Sequence, residues 1–225
     1  MKDIFEYLKH NSYPGRGLII GRSEDRPVIA YFIMGRSENS RNRVFRKRED
    51  TVYTKAYDES KVKDPSLIIY NAVRGCGNMT IVTNGDQTDT VFEYLKQGNT
   101  FRDALDTREY EPDGPNYTPR ISGLLHEDGS YEIAILKREG EACRRDYYLY
   151  PAENGKGHFI STYDHDGDPL PSFSGEPILI PIGDEPERFA SDLWESLDQN
   201  NRISLYVRFG SMEWIFNKHG GAGNE

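Results

Sequence analysis

Cysteine and histidine are scarce in this chain of 225 residues: two cysteines, Cys76 and Cys143, and five scattered histidines, at 10, 126, 158, 165 and 219. That cysteine spacing fits neither a disulfide framework nor a zinc knuckle. No two histidines stand four apart, so the pairing expected of a helical metal site is missing. No apolar stretch approaches the ~20 residues that a membrane helix needs, and none follows Met1 as a secretory leader would. A cytosolic protein without a membrane partner is therefore expected. Positive charge is also in short supply, with 28 Lys and Arg against 37 Asp and Glu, a net charge of −9. A phosphate polymer needs a basic face, so this balance argues against nucleic acid as the main partner. The phosphate-loop pattern is absent. Gly15-x-Gly17-xxx-Gly21 precedes a strand instead of joining strand to helix, so it is not a dinucleotide fingerprint. Asp164-His-Asp166-Gly-Asp168 follows a calcium loop for five residues, then lacks glycine at the sixth position and has Gly175 at the twelfth. It reads as a solvated acidic turn.

Aromatic residues compensate for a modest aliphatic content: 15 Tyr and 10 Phe supply core volume. With no linker or internal repeat, residues 1–225 read as a single domain with a flexible tail at 220–225. Ile4, Phe5 and Leu8 predict a short N-terminal helix over 3–9. Strands are expected at 17–21 and 27–34, at 44–48 and 51–57, and at 67–74 and 79–83. Two helices follow. Thr88 or Asp89 caps one that carries Val91, Phe92 and Leu95 and ends at Gly98; Asn99 or Thr100 starts the next, with Phe101, Ala104 and Leu105 on one face. Strands at 121–125, 131–137, 147–150 and 158–162 lead to a polar loop at 163–176 and a strand at 178–182. Phe189, Leu193, Trp194 and Leu197 predict a helix over 185–200, and strands at 204–209 and 213–216 close the chain. Hairpin connections dominate this order, which indicates an α+β fold with mainly antiparallel sheets packed together and helices outside.

Charge is unevenly spread. Residues 36–48 carry Arg36, Arg41, Arg43, Arg46, Lys47 and Arg48 against Glu38 alone, +5 in all. Such an island on an acidic protein suits a compact anion such as a phosphate ester, although Arg46 and Arg48 also read as the wet face of a strand. Two more dense polar loops, Thr83–Thr90 and Tyr110–Arg120, border regular elements. Binding chemistry concentrates in such loops on a rigid scaffold.

The order and spacing of Gly15–Gly21, Gly35-Arg-Ser…Asn-Arg43, Tyr70-Asn71, Thr83-Asn-Gly…Thr88-Asp-Thr90, Phe101-Arg-Asp-Ala104 and Tyr110-Glu-Pro-Asp…Asn-x-Thr-Pro-Arg-Ile121 resemble the archaeal-type IMP cyclohydrolases. The resemblance covers the first three-fifths of the chain. It implies a fold like that of the N-terminal-nucleophile hydrolases, a four-layer α-β-β-α sandwich of two mainly antiparallel sheets. It also implies dehydrative closure of 5-formamidoimidazole-4-carboxamide ribonucleotide (FAICAR) to IMP, the last step of purine synthesis, with no cofactor or metal. The chain begins Met1-Lys2, so the fold's usual N-terminal nucleophile is not expected. Oligomeric state stays open, a homo-oligomer included.

The resemblance places Arg43, Tyr70, Asn71 and Glu111 as candidates for catalysis, and Arg36, Ser37, Asn84, Gly85, Asp89, Asn116, Thr118 and Arg120 as candidates for substrate binding. Guanidinium groups grip oxyanions bidentately, and Glu111 is the best candidate for moving protons. Structural roles compete. Tyr70 also fits a core aromatic, Asn84-Gly85 a tight turn, Asp89 a helix cap, and Arg120 an ion pair with Glu111. A non-catalytic purine-nucleotide-binding protein and an amide hydrolase of the same fold with an internal nucleophile are the alternative functions.

Overall fold

The computed structural model describes residues 1–62, 65 and 68–219. Thirteen strands form two antiparallel sheets. The first has six strands in the order β11-β10-β1-β2-β12-β13, and the second runs β3 to β9 in sequence order. In the first sheet, β1 (Arg16–Ser23) and β2 (Arg26–Met34) are central, flanked by β10 (Lys156–Ser161) with β11 (Ile178–Pro181) and by β12 (Arg202–Phe209) with β13 (Met212–Asn217). The second contains β3 (Arg43–Arg48), β4 (Thr51–Ala56), β5 (Asn71–Cys76), β6 (Met79–Thr83), β7 (Arg120–Leu125), β8 (Tyr131–Glu139) and β9 (Ala142–Tyr150).

Local chemistry explains the hairpins. Ser23 pairs with Arg26, Arg48 with Thr51, Cys76 with Met79, Glu139 with Ala142 and Phe209 with Met212, leaving two-residue turns. Gly77, Gly140 and Gly210 supply the positive φ that such turns require. Asp3 caps α1 (Ile4–Lys9) by accepting from the amides of Phe5 and Glu6. Thr100 and Asp103 form a reciprocal capping box on α4 (Phe101–Asp106).

Apolar residues form three clusters. Ile4 and Leu8 of α1, with Phe189 and Leu193 of α5 (Pro186–Ser196), pack on Ile19, Phe32 and Leu205 from one face of the first sheet. The facing sides of the two sheets bury Leu18, Ile20 and Ile29 against Val82, Ile121 and Ile133. Val91 of α3 (Gln87–Lys96) and Phe101 and Leu105 of α4 cover Ile81, Leu124 and Leu136 on the outer face of the second sheet. The α+β reading with two antiparallel sheets therefore holds.

The larger departures from expectation are three element ends and one added helical turn. The strand expected at 67–74 begins at Asn71. Before it, the Thr54 hydroxyl donates to the carbonyls of Ile68 and Tyr70 and accepts from the Tyr70 amide, beside the single backbone bond from the Thr54 amide to the Tyr70 carbonyl. Its first residue, Leu67, lies outside the described residues, as does the tail at 220–225. The helix expected over 185–200 stops at Ser196, because Leu197 turns extended into the core and the Asp198 carboxylate accepts from the amides of Asn200 and Asn201. The strand expected at 147–150 starts at Ala142, since β8 pairs with it along its whole length. The arginine-rich loop folds into an unexpected turn of helix, α2 (Glu38–Arg41), whose N-cap Ser37 accepts from the Ser40 amide.

Gly123 is packed closely against the facing sheet. A methyl group added at Gly123 of β7 would lie 2.5 Å from Ile20 Cδ1 and 2.9 Å from Leu18 Cδ2 of β1. Overpacking a filled core typically costs about 1–3 kcal/mol. Gly123→Ala should therefore lower the melting temperature, by roughly 2–4 °C per kcal/mol in a chain of this size. An unchanged melting curve would show that the sheets can separate without cost.

Candidate active site

One end of both sheets collects the functional groups. The start of β1, the end of β2, the start of β3, the start of β7 and the end of β10 meet at one rim, as their registers require (Arg16 opposite Ile33, Gly17 opposite Ser161). A pocket of roughly 320 Å³ opens there, at the lower end of the ~300–1,000 Å³ usual for small-molecule sites. Arg16, Arg36, Arg43, Glu111 and Asp113 supply its charged lining, and Tyr13 and Tyr163 form part of its wall.

Glu111 is the centre of this arrangement. It is 2% exposed, on the loop that leads into β7. Arg16 Nη2 approaches its Oε2 at 3.5 Å and Asn84 Nδ2 its Oε1 at 3.4 Å. Both contacts are long, so the carboxylate keeps acceptor capacity. Burial raises its pKa above the ordinary carboxylate value, against the opposing pull of Arg16 and Arg120. The loop is closed on itself. The Glu111 amide donates to the Thr118 carbonyl, the Thr118 amide to Asp113 Oδ1 at 2.6 Å, and the Thr118 hydroxyl also bonds the Asp113 carboxylate. Tyr163 Oη lies 2.6 Å from the same hydroxyl, and burial pushes that phenol up to about 12.

Arg43 is the largest fully buried side chain, 1% exposed. Its Nε donates to the Ser40 carbonyl and its Nη2 to the Ser40 hydroxyl, while Nη1 has no partner among the described residues. Burial lowers its pKa. Among the described residues, five buried side-chain polar atoms lack partners, and three of them, Arg16 Nε, Arg43 Nη1 and Asn39 Oδ1, belong to residues lining this pocket. Buried donors are ordinarily satisfied. Two buried guanidinium donors without a partner among the described residues thus belong to arginines that line one cavity.

The structure brings six sequence-selected residues to the lining: Arg36, Ser37, Arg43, Glu111, Asn116 and Thr118. Tyr70 stands close behind, its hydroxyl 2.8 Å from that of Tyr31 on β2. Asn84 lies beneath the pocket as a junction. It donates to the Pro119 carbonyl, and its Oδ1 accepts from Gln87 and from the Ile121 amide. Arg120 pairs with Asp86 at 2.7 Å and bonds Gln87 and the Glu109 carbonyl, instead of pairing with Glu111. Gly85 leaves room for it, since a Cβ there would lie 2.6 Å from Arg120 Nη1. Asn71 and Asp89 are not brought to the pocket. Asn71 donates to Asp89, which also pairs with Arg74 at 2.6 Å. Asp86, not Thr88 or Asp89, occupies the N-cap of α3.

Sequence reasoning missed Tyr13, Arg16, Asp113 and Tyr163. Arg16 carried a usable signal, an arginine between two glycines at the mouth of an apolar strand. The acidic turn at 164–168 is more than a solvated turn: Asp166 binds Arg36 at 2.6 Å, and Asp164 accepts from the amide and hydroxyl of Ser174.

Residues 13–213 match the sequence model of a family described as IMP cyclohydrolase-like protein. Among curated relatives, the IMP cyclohydrolase of Methanococcus maripaludis is 33% identical over 159 residues, spanning 68% of this chain and 75% of that protein. The IMP cyclohydrolase of Methanosphaera stadtmanae is 29% identical over 157 residues, 68% of this chain and 74% of that protein. That of Halobacterium salinarum is 33% identical over 136 residues, 59% and 66% respectively.

The unsatisfied arginine donors predict a separation of stability from binding. Arg43→Met removes a buried charge and two bonds to Ser40, effects of opposite sign. The melting temperature should therefore stay within about 4 °C of the parent, a shift that ~1–2 kcal/mol produces. Thermal stabilisation by a formyl-bearing nucleotide such as FAICAR should fall in the same variant, while stabilisation by ribose 5-phosphate changes less. Undiminished stabilisation by the formyl-bearing nucleotide would remove Arg43 from the oxygen subsite.

Proposed function

The chain belongs to the IMP cyclohydrolase-like family, and from that premise we propose that it catalyses the dehydrative closure of FAICAR to IMP in purine biosynthesis. One observation carries the assignment of chemistry to this pocket: a buried, weakly held carboxylate, Glu111, shares a small cavity with Arg16, Arg36 and Arg43.

The reaction joins two groups already on one ring. The carboxamide nitrogen attacks the formyl carbon, giving up one proton as the C–N bond forms, and the formyl oxygen becomes a hydroxyl. The formamido nitrogen then loses its proton, a C=N bond forms, and the hydroxyl departs as water. An amide nitrogen is a poor nucleophile, so holding the two arms together matters most. Such orientation contributes about 7–11 kcal/mol in favourable intramolecular reactions. Charge on the formyl oxygen needs a preset donor, and Arg43 and Arg16 line the pocket with guanidinium groups whose hydrogen-bonding capacity is not filled among the described residues. Glu111 accepts the carboxamide proton and passes it to the formyl oxygen, then takes the formamido proton and passes it to the departing hydroxyl. Tyr70, hydrogen-bonded to Tyr31, orients the carboxamide or formyl group. Arg36 and Ser37 take the phosphate, with Asn116 and Thr118 across the pocket. Asn84, Gly85 and Arg120 act through the loop that carries Glu111.

We read the architecture as a four-layer sandwich of the N-terminal-nucleophile-hydrolase type. The three apolar clusters, helix on sheet, sheet on sheet and sheet on helix, support this. The same pocket without turnover would be a purine-nucleotide-binding protein. IMP formation from FAICAR by the purified chain, followed by absorbance, decides between the two.

Glu111→Gln keeps shape and one acceptor but cannot take a proton. Its kcat should fall by ~10²–10⁴-fold, with little change in nucleotide affinity. Because burial raises the Glu111 pKa, the parent should lose activity as pH falls through a value above the ordinary carboxylate range. That limb should vanish in the Gln variant. A nearly intact kcat would leave Glu111 a structural partner of Arg16.

A further inference from the structure

Arg36 differs from the other two pocket arginines. Arg16 and Arg43 are buried, whereas the Arg36 side chain is 38% exposed at the pocket mouth. A long side chain there would ordinarily sample many rotamers. It is held instead by one nitrogen and one face. Nη1 donates to Asp166 Oδ1 at 2.6 Å and to the Gly167 carbonyl at 3.0 Å, and the guanidinium carbon sits 4.9 Å from the centre of the Tyr13 ring. Nε and Nη2 have no partner among the described residues. The anchor therefore leaves open the edge that grips an oxyanion bidentately.

The anchor is itself fastened. The Asp164 amide donates to the Pro171 carbonyl, the Phe173 amide to the Thr162 carbonyl, and the Leu170 amide to Asn116 Oδ1. Gly167 donates its amide to Asp166 Oδ1, the same oxygen that Arg36 uses. Electrostatics alone does not account for a carboxylate at this point. Arg16, Arg36 and Arg43 against Glu111 and Asp113 leave the lining at +1, and Asp166 brings it to zero. Asp166 engages Nη1 alone.

We propose that Asp166 is a positioning residue that presets Arg36 as the clamp for the substrate's 5′-phosphate. Selectivity for phosphorylated over unphosphorylated ligand then resides partly in the acidic turn after β10. This rests on the reading of the pocket as the FAICAR and IMP site.

The test compares the parent with Asp166→Ala, Asp166→Asn, Arg36→Ala and the Arg36→Ala/Asp166→Ala pair. It measures KM and kcat for FAICAR, and Kd for IMP and for inosine. Asp166→Ala should raise KM and the IMP Kd roughly fivefold to tenfold, the loss expected when one hydrogen bond stops holding the clamp. Its kcat should stay within about twofold, because the phosphate is remote from ring closure and its grip is uniform along the reaction. Asp166→Asn should bind IMP about as well as the parent, since the amide oxygen accepts the same bond from Nη1. In the Arg36→Ala background, Asp166→Ala should add nothing. Inosine affinity should not change. Tighter IMP binding by Asp166→Ala would make Asp166 a competitor, and a penalty that persists without Arg36, or is equal for inosine, would make it a general loop support; either overturns the clamp. A parent that neither turns over FAICAR nor binds IMP overturns the nucleotide reading and the clamp with it. An active parent with an unaffected Asp166→Ala overturns the clamp alone.

Discussion

The buried pairing of Arg16 with Glu111 is the constraint on which the rim of this molecule is built. An ionised carboxylate removed from water is costly unless it is paired and hydrogen-bonded. The charge-bearing atoms of this pair meet at 3.5 Å, too far for a strong bond. Attraction between the partners does not fix the geometry by itself, so the surrounding chain has to. Arg16 is set by β1, where its amide donates to the Thr162 hydroxyl from the end of β10. Glu111 is set by a loop whose Asp113 takes the Thr118 amide and hydroxyl. Arg16 thus belongs to one sheet and Glu111 to the loop that leads into the other, and sheet packing together with the Thr118–Tyr163 bond brings them to one place.

Asn84 shows how that demand reaches further down the fold. Its amide nitrogen serves Glu111 and the Pro119 carbonyl, while its oxygen accepts from Gln87 and the Ile121 amide. One side chain thereby ties the end of β6, the start of α3, the start of β7 and the acidic loop. Arg120 extends the tie by bonding Asp86 and Gln87 on one side and the Glu109 carbonyl on the other. Residues that the sequence marks as ligand contacts can therefore matter to the site without touching its contents. They hold Glu111 still, and the proton-transfer role proposed for it calls for fixed placement more than for strong bonds.

Local signals made most of the fold legible. Alternating apolar residues, two-residue glycine turns and the Thr100 cap are decided within a few residues, and the strands they imply are present. Boundaries failed where a distant group intervened, as where the Thr54 hydroxyl bonds the backbone of Ile68 and Tyr70. The site was half legible. Arg36, Arg43, Glu111 and Thr118 stand in loops too rich in polar groups for backbone needs alone. Asn71 and Asp89 share that richness yet satisfy each other and Arg74. Composition does not distinguish a polar group facing a cavity from one facing another polar group. Tyr163 and Asp166 were invisible for a different reason: their partners lie 45 and 130 residues away. Nothing in a polar turn announces a contact at that range.

The orphaned atoms make the balance of stability and function visible. An unpartnered buried donor costs stability, yet Arg16 and Arg43 each carry one at the pocket, and Asn39 adds an unpartnered acceptor. A rim tuned for stability alone would fill that space with apolar side chains, as the sheet interface does with Leu18, Ile20 and Ile121 a short way below. Replacing buried ionic groups by well-packed apolar ones is often neutral or stabilising. Guanidinium donors left open beside a loosely held carboxylate are consistent with a site whose hydrogen-bond inventory is completed by its substrate. The developing charge of a ring closure is what such preset donors can meet without reorganising.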